Sequence, residues 1–375
     1  MSAIYIHIPF CEQRCYYCAF TVAVSPQETY QPYVERVARE IELSGFADEP
    51  HTIYFGGGTP SIVPASMIAR LLALFPSTAR EITIEANPGT LPPEKLSEYR
   101  EIGISRISLG AQSLEDEDLA RAGRLHQAAA VFTDFENLRR AGFTNINLDL
   151  IAGLPEQRMA TWRRNLAAVT RLRPEHVSIY MLELEERSAW GRRAPQIQTD
   201  EEFAAFYEEA SSRLESCGYV QYEISNWALP GFECRHNLAY WTGVPYRGFG
   251  VSAHSYDGSR RYWNTASLKE YAERVDAGLP PIAGEEALTD DMKLTEGLLL
   301  GLRQARGIDV LLQSERAGRR YPPEWFAKVR DLQEAGLVHF DQRTLKLTPR
   351  GRLVADGVIE ELLCALTSST SEAIR

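Results

Sequence analysis

IHIPFCEQRCYYCAF, residues 6–20, sets Cys11, Cys15 and Cys18 within eight residues and then, two residues further on, has Phe20 instead of a fourth thiol. A structural zinc site closes with four ligands. No second cysteine pair supplies them, because Cys217, Cys234 and Cys364 stand alone and His7 reads as a buried structural histidine in a β-like run. A [4Fe–4S] cube that only carries electrons also takes four thiolates. Three thiolates leave one iron open to bind and polarise a ligand, so Cys-x3-Cys-x2-Cys points to a cluster that does chemistry. Phe10, Tyr16, Tyr17 and Phe20 are the aromatic neighbours that would screen such a cluster from water.

Working outward, the apolar run that leads into the cysteines is the first of six strand candidates: 3–8, 52–55, 81–86, 106–110, 145–151 and 176–182. Amphipathic stretches such as YQPYVERVAREIEL, MIARLLALF and VFTDFENLRRAG lie between them. Strands alternating with helices at these separations predict βα units and a parallel sheet. Six strands are too few for a closed eight-stranded barrel and suit a partial one, with the chemistry at the C-terminal strand ends. A Pro- and Arg-bearing link follows at 186–200, and an aromatic-rich segment fills 219–264. The tail then reads as helices with a short β ribbon, a small winged-helix-type α+β module. The expected division is a core over 1–186, an extension over 187–288 and a C-terminal module over 289–375.

The chain of 375 residues has 44% apolar and 24% charged residues, an ordinary globular composition. Its net charge of -11 argues against non-specific nucleic-acid binding. The basic residues of the tail (Arg319, Arg320, Lys328, Arg330, Arg343, Lys346, Arg350 and Arg352) read as a solvated face. No secretory signal precedes the cysteines and no apolar run reaches the roughly 20 residues of a membrane span. The expectation is a cytoplasmic protein whose cysteines stay reduced and free for metal.

The cysteine spacing, with its YIHIPF lead-in, resembles radical S-adenosylmethionine (SAM) enzymes related to oxygen-independent coproporphyrinogen III oxidase. The resemblance extends over essentially the whole chain, including GFGVSAHSY (248–256) and the tail. It implies a partial (β/α)6 barrel, a [4Fe–4S] cluster on Cys11, Cys15 and Cys18, and SAM chelating the open iron. In that superfamily an electron from the cluster cleaves SAM to methionine and a 5′-deoxyadenosyl radical. YFGGGTPS (54–61) reads as a tight turn or as a ligand strap, and no Gly-Lys-Ser/Thr follows to make it a P-loop. Glycines let the backbone approach a ligand closely, and the resemblance assigns this segment to the amino group of SAM. By the same resemblance Tyr5, Tyr17, Gly57, Gly58, Thr59, Glu85, Gln112, Arg124 and Asp149 match positions that contact SAM.

Two features separate the chain from the decarboxylating oxidase. Phe20 stands where that enzyme has a further cysteine, and Cys11 comes sooner after the N-terminus. CRHNLAYW (234–241) carries the His-Asn-x-x-Tyr-Trp motif of the heme chaperone (HemW) branch of the family. The resemblance implies heme as a further ligand, with His236, Tyr240 and Trp241 as its contacts; His236 packed into the core is the competing reading. Heme transfer to an acceptor protein is the expected function, with an electron donor for the cluster and a monomer or cluster-dependent dimer. Coproporphyrinogen decarboxylation and nucleic-acid modification are the alternatives.

Overall fold

The computed structural model describes residues 2–76 and 78–367. Six strands, β1 (Ser2–Ile8), β2 (Pro50–Gly57), β3 (Glu81–Ala86), β4 (Arg106–Gln112), β5 (Ile146–Ala152) and β6 (His176–Met181), pair in parallel in chain order. All six coincide with the expected strands. The reason is that parallel strands covered on both faces read as near-continuous apolar runs. In β1, Ile4, Ile6 and Ile8 are fully buried on the helix-covered face. The alternate residues, Tyr5 and His7, look into the curve of the sheet, where Tyr5 stacks on Tyr54.

The sheet is wider than expected, with twelve strands among the described residues. At one edge β7 (Val220–Glu223) and β8 (Asn226–Ala228) add to β6 as an antiparallel hairpin. At the other, β9 (Tyr246–Phe249) runs parallel to β1 and is extended by β10 (His254–Tyr256), β11 (Arg260–Asn264) and β12 (Ile282–Ala287). The aromatic-rich segment therefore completes both flanks of the partial barrel. The tail folds around its own core of Leu298, Trp325, Val329, Leu345 and Leu362. There β13 (Ile308–Asp309), β14 (Val338–Phe340) and β15 (Thr344–Leu347) form an antiparallel sheet in the order β13-β15-β14, beside helices 290–302, 310–317, 323–334 and 355–367. Among its basic residues, Arg319 pairs with Asp291, Lys328 with Glu361 and Arg343 with Asp309. Among the described residues no helix is long and apolar enough to cross a membrane.

Glu40, on helix Tyr30–Leu43, ties this helix to the β9 flank. Its buried carboxylate accepts hydrogen bonds from Gly250 N (2.8 Å), Asn264 Nδ2 (2.7 Å) and Tyr271 OH (2.6 Å). Burial lifts its pKa from 4.5 to about 7. The folded state thus holds this proton more tightly than the unfolded chain. The associated stability is complete below about pH 4.5 and is lost as pH rises through about 7. Denaturant titrations across that window should show wild-type stability falling and Glu40→Gln falling less steeply. Glu85 and Glu223, lifted the same way, keep their share of the slope. The amide should itself cost about 1–3 kcal/mol, because its nitrogen faces a donor. An unchanged slope in Glu40→Gln would remove Glu40 as its source.

Candidate functional site

The cysteine loop leaves β1 and returns to it. Cys11 N donates to Ala23 O (3.0 Å) and Ala23 N to Pro9 O (2.7 Å), closing the neck. His7 Nε2 donates to Thr21 O (2.8 Å), and its Nδ1 accepts from Tyr5 OH (3.1 Å). Buried between them, His7 has its pKa lowered to about 4, as expected of a neutral structural histidine. The far side of the loop is held by Tyr16 N on Ala122 O (3.1 Å) and Trp190 N on Tyr16 O (2.8 Å).

The glycine strap lies against this neck for a steric reason. Gly58 N donates to Ile8 O (2.9 Å) and Thr59 N to Phe10 O (2.7 Å). A Cβ on Gly58 would come within 2.6 Å of Phe10 O, so only glycine permits that approach. Gly57, at φ +115°, leaves no room for a Cβ beside the His7 ring. Its N–H donates to Glu85 Oε2 (3.0 Å), whose other oxygen accepts from Tyr54 OH (2.9 Å). Burial lifts Glu85 to about 7, and burial also raises Asp149.

These elements ring one cavity of about 1450 Å³. Its mouth carries Cys11, Cys15, Cys18 and Phe20, and its wall carries Tyr17, Gly57, Gly58, Thr59, Glu85, Gln112, Arg124 and Asp149. The structure thus brings together all three expected cluster ligands and every expected SAM contact except Tyr5. Arg124 joins the two groups. One guanidinium nitrogen reaches Cys15 Sγ (3.4 Å) and Tyr17 OH (3.5 Å), and the other reaches Asn87 Oδ1 (2.7 Å) and Gly110 O (2.7 Å). Thr59 Oγ1 donates to Cys11 Sγ (3.5 Å) and accepts from Asn87 Nδ2 (2.8 Å). Gln112 holds a positive φ of 65°, a strained conformation at the rim of the site.

The donor set fits a cube with one open iron. Burial pushes the Cys11 thiol up to about 11 and raises Cys18 as well, so a cationic cluster is what would draw these sulfurs into thiolate form. Among the described residues no three His, Cys, Asp or Glu side chains converge as a single metal ion requires. Thiolates that each take a different iron need no such convergence.

The second motif lies elsewhere. The short helix Arg235–Trp241 crosses the N-terminal ends of β2 and β3 and closes the bottom of the barrel. Glu81 caps it, accepting from Arg235 N (3.3 Å) and His236 N (3.2 Å). His236 is buried, stacked on Tyr54, with Nδ1 on Thr52 Oγ1 (2.8 Å) and Nε2 on Tyr240 OH (2.9 Å). Burial lowers its pKa to about 3. Trp241 O accepts from Gln304 Nε2 (2.8 Å), joining this plug to the C-terminal module. The structure therefore does not bring His236, Tyr240 or Trp241 to the cavity, and in this arrangement neither nitrogen of His236 is free for iron. Tyr5 is likewise packed behind the wall, between His7 and Tyr54.

Sequence reasoning missed Asn87, which links Thr59 to Arg124, and Tyr180, which faces the cavity. Asn87 left a signal, a polar residue just beyond the end of β3. Tyr180 left none, since an aromatic residue in a strand reads as core.

Residues 5–167 match the model of the Radical SAM superfamily, and residues 288–354 match the HemN C-terminal domain. A heme chaperone HemW from Bacillus subtilis (strain 168) is 34% identical over 376 residues, covering 97% of this chain and 99% of that protein. Another, from Mycobacterium tuberculosis (strain ATCC 25618 / H37Rv), is 36% identical over 381 residues, covering 96% and 94%. The solved coproporphyrinogen III oxidase (HemN) from Escherichia coli, a radical SAM enzyme, matches with a TM-score of 0.84 at 25% identity, over 97% of this chain and 89% of its own. With three cysteines and a glycine strap at one cavity mouth, and full-length relatives at this identity, the chain belongs to the radical SAM superfamily and, within it, to the heme chaperone HemW family.

Proposed function

We propose that this chain is a heme chaperone: it binds heme beside a SAM-ligated [4Fe–4S] cluster and passes the heme to an acceptor protein. The observation that carries the reading is the full-length match to proteins of that name, 34% identical over 97% of this chain. Cys11, Cys15 and Cys18 would hold the cluster, and the Gly57–Thr59 strap with Glu85, Gln112, Arg124 and Asp149 would hold SAM. When bound, that pair supplies a redox-responsive centre at the cavity mouth. The chain's own residues set its surroundings. Arg124 fixes Cys15 and Tyr17 in one orientation, and Thr59 donates to Cys11. Phe20, 70% exposed at the mouth, puts an apolar ring where a fourth thiol would stand, which disfavours the decarboxylating reaction. A cytoplasmic setting, an electron donor and either a monomer or a cluster-dependent dimer belong to the same reading.

Anaerobic cluster reconstitution, then heme titration and a SAM-cleavage assay on one sample, tests it. Stoichiometric heme binding without a modified porphyrin is the expected result. Conversion of coproporphyrinogen III to protoporphyrinogen IX would overturn it in favour of the oxidase.

His236→Ala separates the two roles considered for that residue. Removing the ring leaves Thr52 and Tyr240 without buried partners, so unfolding by urea should show a loss of about 2–4 kcal/mol. Heme affinity of the folded fraction should stay close to wild type. A folded variant of unchanged stability that no longer takes up heme would instead make His236 a ligand.

A further inference from the structure

We infer that Arg106, at the floor of the cavity, is a binding site for a carboxylate and takes a propionate arm of the porphyrin. The porphyrin part of this inference rests on the heme reading above.

Arg106 opens β4, is only 2% exposed, and lines the cavity floor beside Cys234 and Asn237. Its Nη1 donates to Asn145 Oδ1 (2.8 Å), while its buried Nε has no partner. Among the described residues it enters no ion pair. The nearby carboxylates are engaged by other donors. Glu81 caps the plug helix and accepts from Cys234 Sγ (3.6 Å). Asp149 accepts from Ser108 Oγ (3.1 Å) and Asn147 Nδ2 (2.8 Å). His176, across the floor, has its ring nitrogens on Asn147 Oδ1 and Tyr222 OH and brings no negative charge.

Burying a guanidinium carries a desolvation cost, which Glu81 and Asp149 reduce here from a distance, with no anion in contact. A ligand carboxylate that forks onto it offsets that cost. Depth decides which ligand. A strand rises about 3.3 Å per residue, so the Arg106 Cα lies roughly 13 Å below that of Gly110, whose carbonyl Arg124 holds near the mouth, and Asn145, just ahead of β5, keeps the Arg106 guanidinium low. A ligand gripped at the mouth by the strap and Arg124 cannot present that same carboxylate at the floor. A porphyrin carries its carboxylates on flexible arms, so one arm reaches down while the macrocycle stays above it in the cavity, which Tyr180 also lines.

The test is equilibrium titration of the full chain, cluster reconstituted, with heme and with heme dimethyl ester, whose propionates are blocked. Wild type should bind the ester about 10–100-fold more weakly than heme. Arg106→Met should bind both at the weaker level, and Arg106→Lys should recover part of the preference. A wild type that binds heme and ester equally overturns the inference but leaves the chaperone reading standing. A heme preference that survives in Arg106→Met overturns it too. A wild type that binds neither overturns the chaperone reading itself. If Arg106→Met does not fold, the wild-type comparison and Arg106→Lys still decide.

Discussion

Serine in place of Cys15 is expected to leave a folded protein that no longer retains a [4Fe–4S] cluster. The loop is held by backbone hydrogen bonds, Cys11 N to Ala23 O, Ala23 N to Pro9 O and Tyr16 N to Ala122 O, and by His7 on Thr21. None of these uses a thiol. Cys15 is half-buried, and its Sγ meets only the Arg124 guanidinium and the Tyr17 hydroxyl, so the substitution should change unfolding free energy by about 1 kcal/mol or less. The cluster has no such reserve. Three sulfurs are the whole donor set of this loop, Phe20 supplies none, and Cys234 is buried at the opposite end of the cavity. Iron and acid-labile sulfide measured after anaerobic reconstitution should fall to a small fraction of wild type. Full iron content in Cys15→Ser would mean that the cluster is held elsewhere.

Gly57→Ala is expected to damage both the fold and the site. At φ +115° a Cβ costs about 1–2 kcal/mol from the backbone alone. It would also sit 2.5 Å from the His7 ring. Forcing that ring aside should add about 1–3 kcal/mol. It also pulls on the His7–Thr21 hydrogen bond that fixes the cysteine loop. Gly218 provides the control, because it has φ +88° and nothing within 4 Å of its added Cβ. Gly218→Ala should therefore show the dihedral cost alone, with cluster retention unchanged. Denaturant unfolding and iron content of the two variants separate strain from contact. Equal losses in both would mean that the strap does not bear on the loop.

Much of the barrel was legible because its signals are local. A parallel strand covered on both faces must be apolar along its length, and that run is visible without knowing its neighbours. The polar residues that interrupt such runs, Glu85, Gln112 and Asp149, had to face the concave side, since the other side is filled by helices. The β9 flank was not legible in the same way. Its pairing with β1 joins residues about 240 positions apart in the chain, and no local pattern records a partner at that distance. The basic residues of the tail looked alike in sequence, and only folding set Asp291, Glu361 and Asp309 against three of them.

By itself the sequence determined the donor chemistry: three thiols in one loop, a run of glycines beyond an apolar strand, and polar residues at the ends of apolar strands. These follow from residue type and spacing, which do not depend on the rest of the chain. The tertiary structure alone decided which polar groups are already satisfied. Arg106 lines the cavity floor and His236 is buried away from the cavity, yet burial alone does not tell them apart: Thr52 and Tyr240 occupy both nitrogens of His236, while Arg106 keeps an unpartnered Nε and no contacting carboxylate. Whether a buried polar group is satisfied depends on every segment packed around it, so it is fixed only when the whole chain has folded.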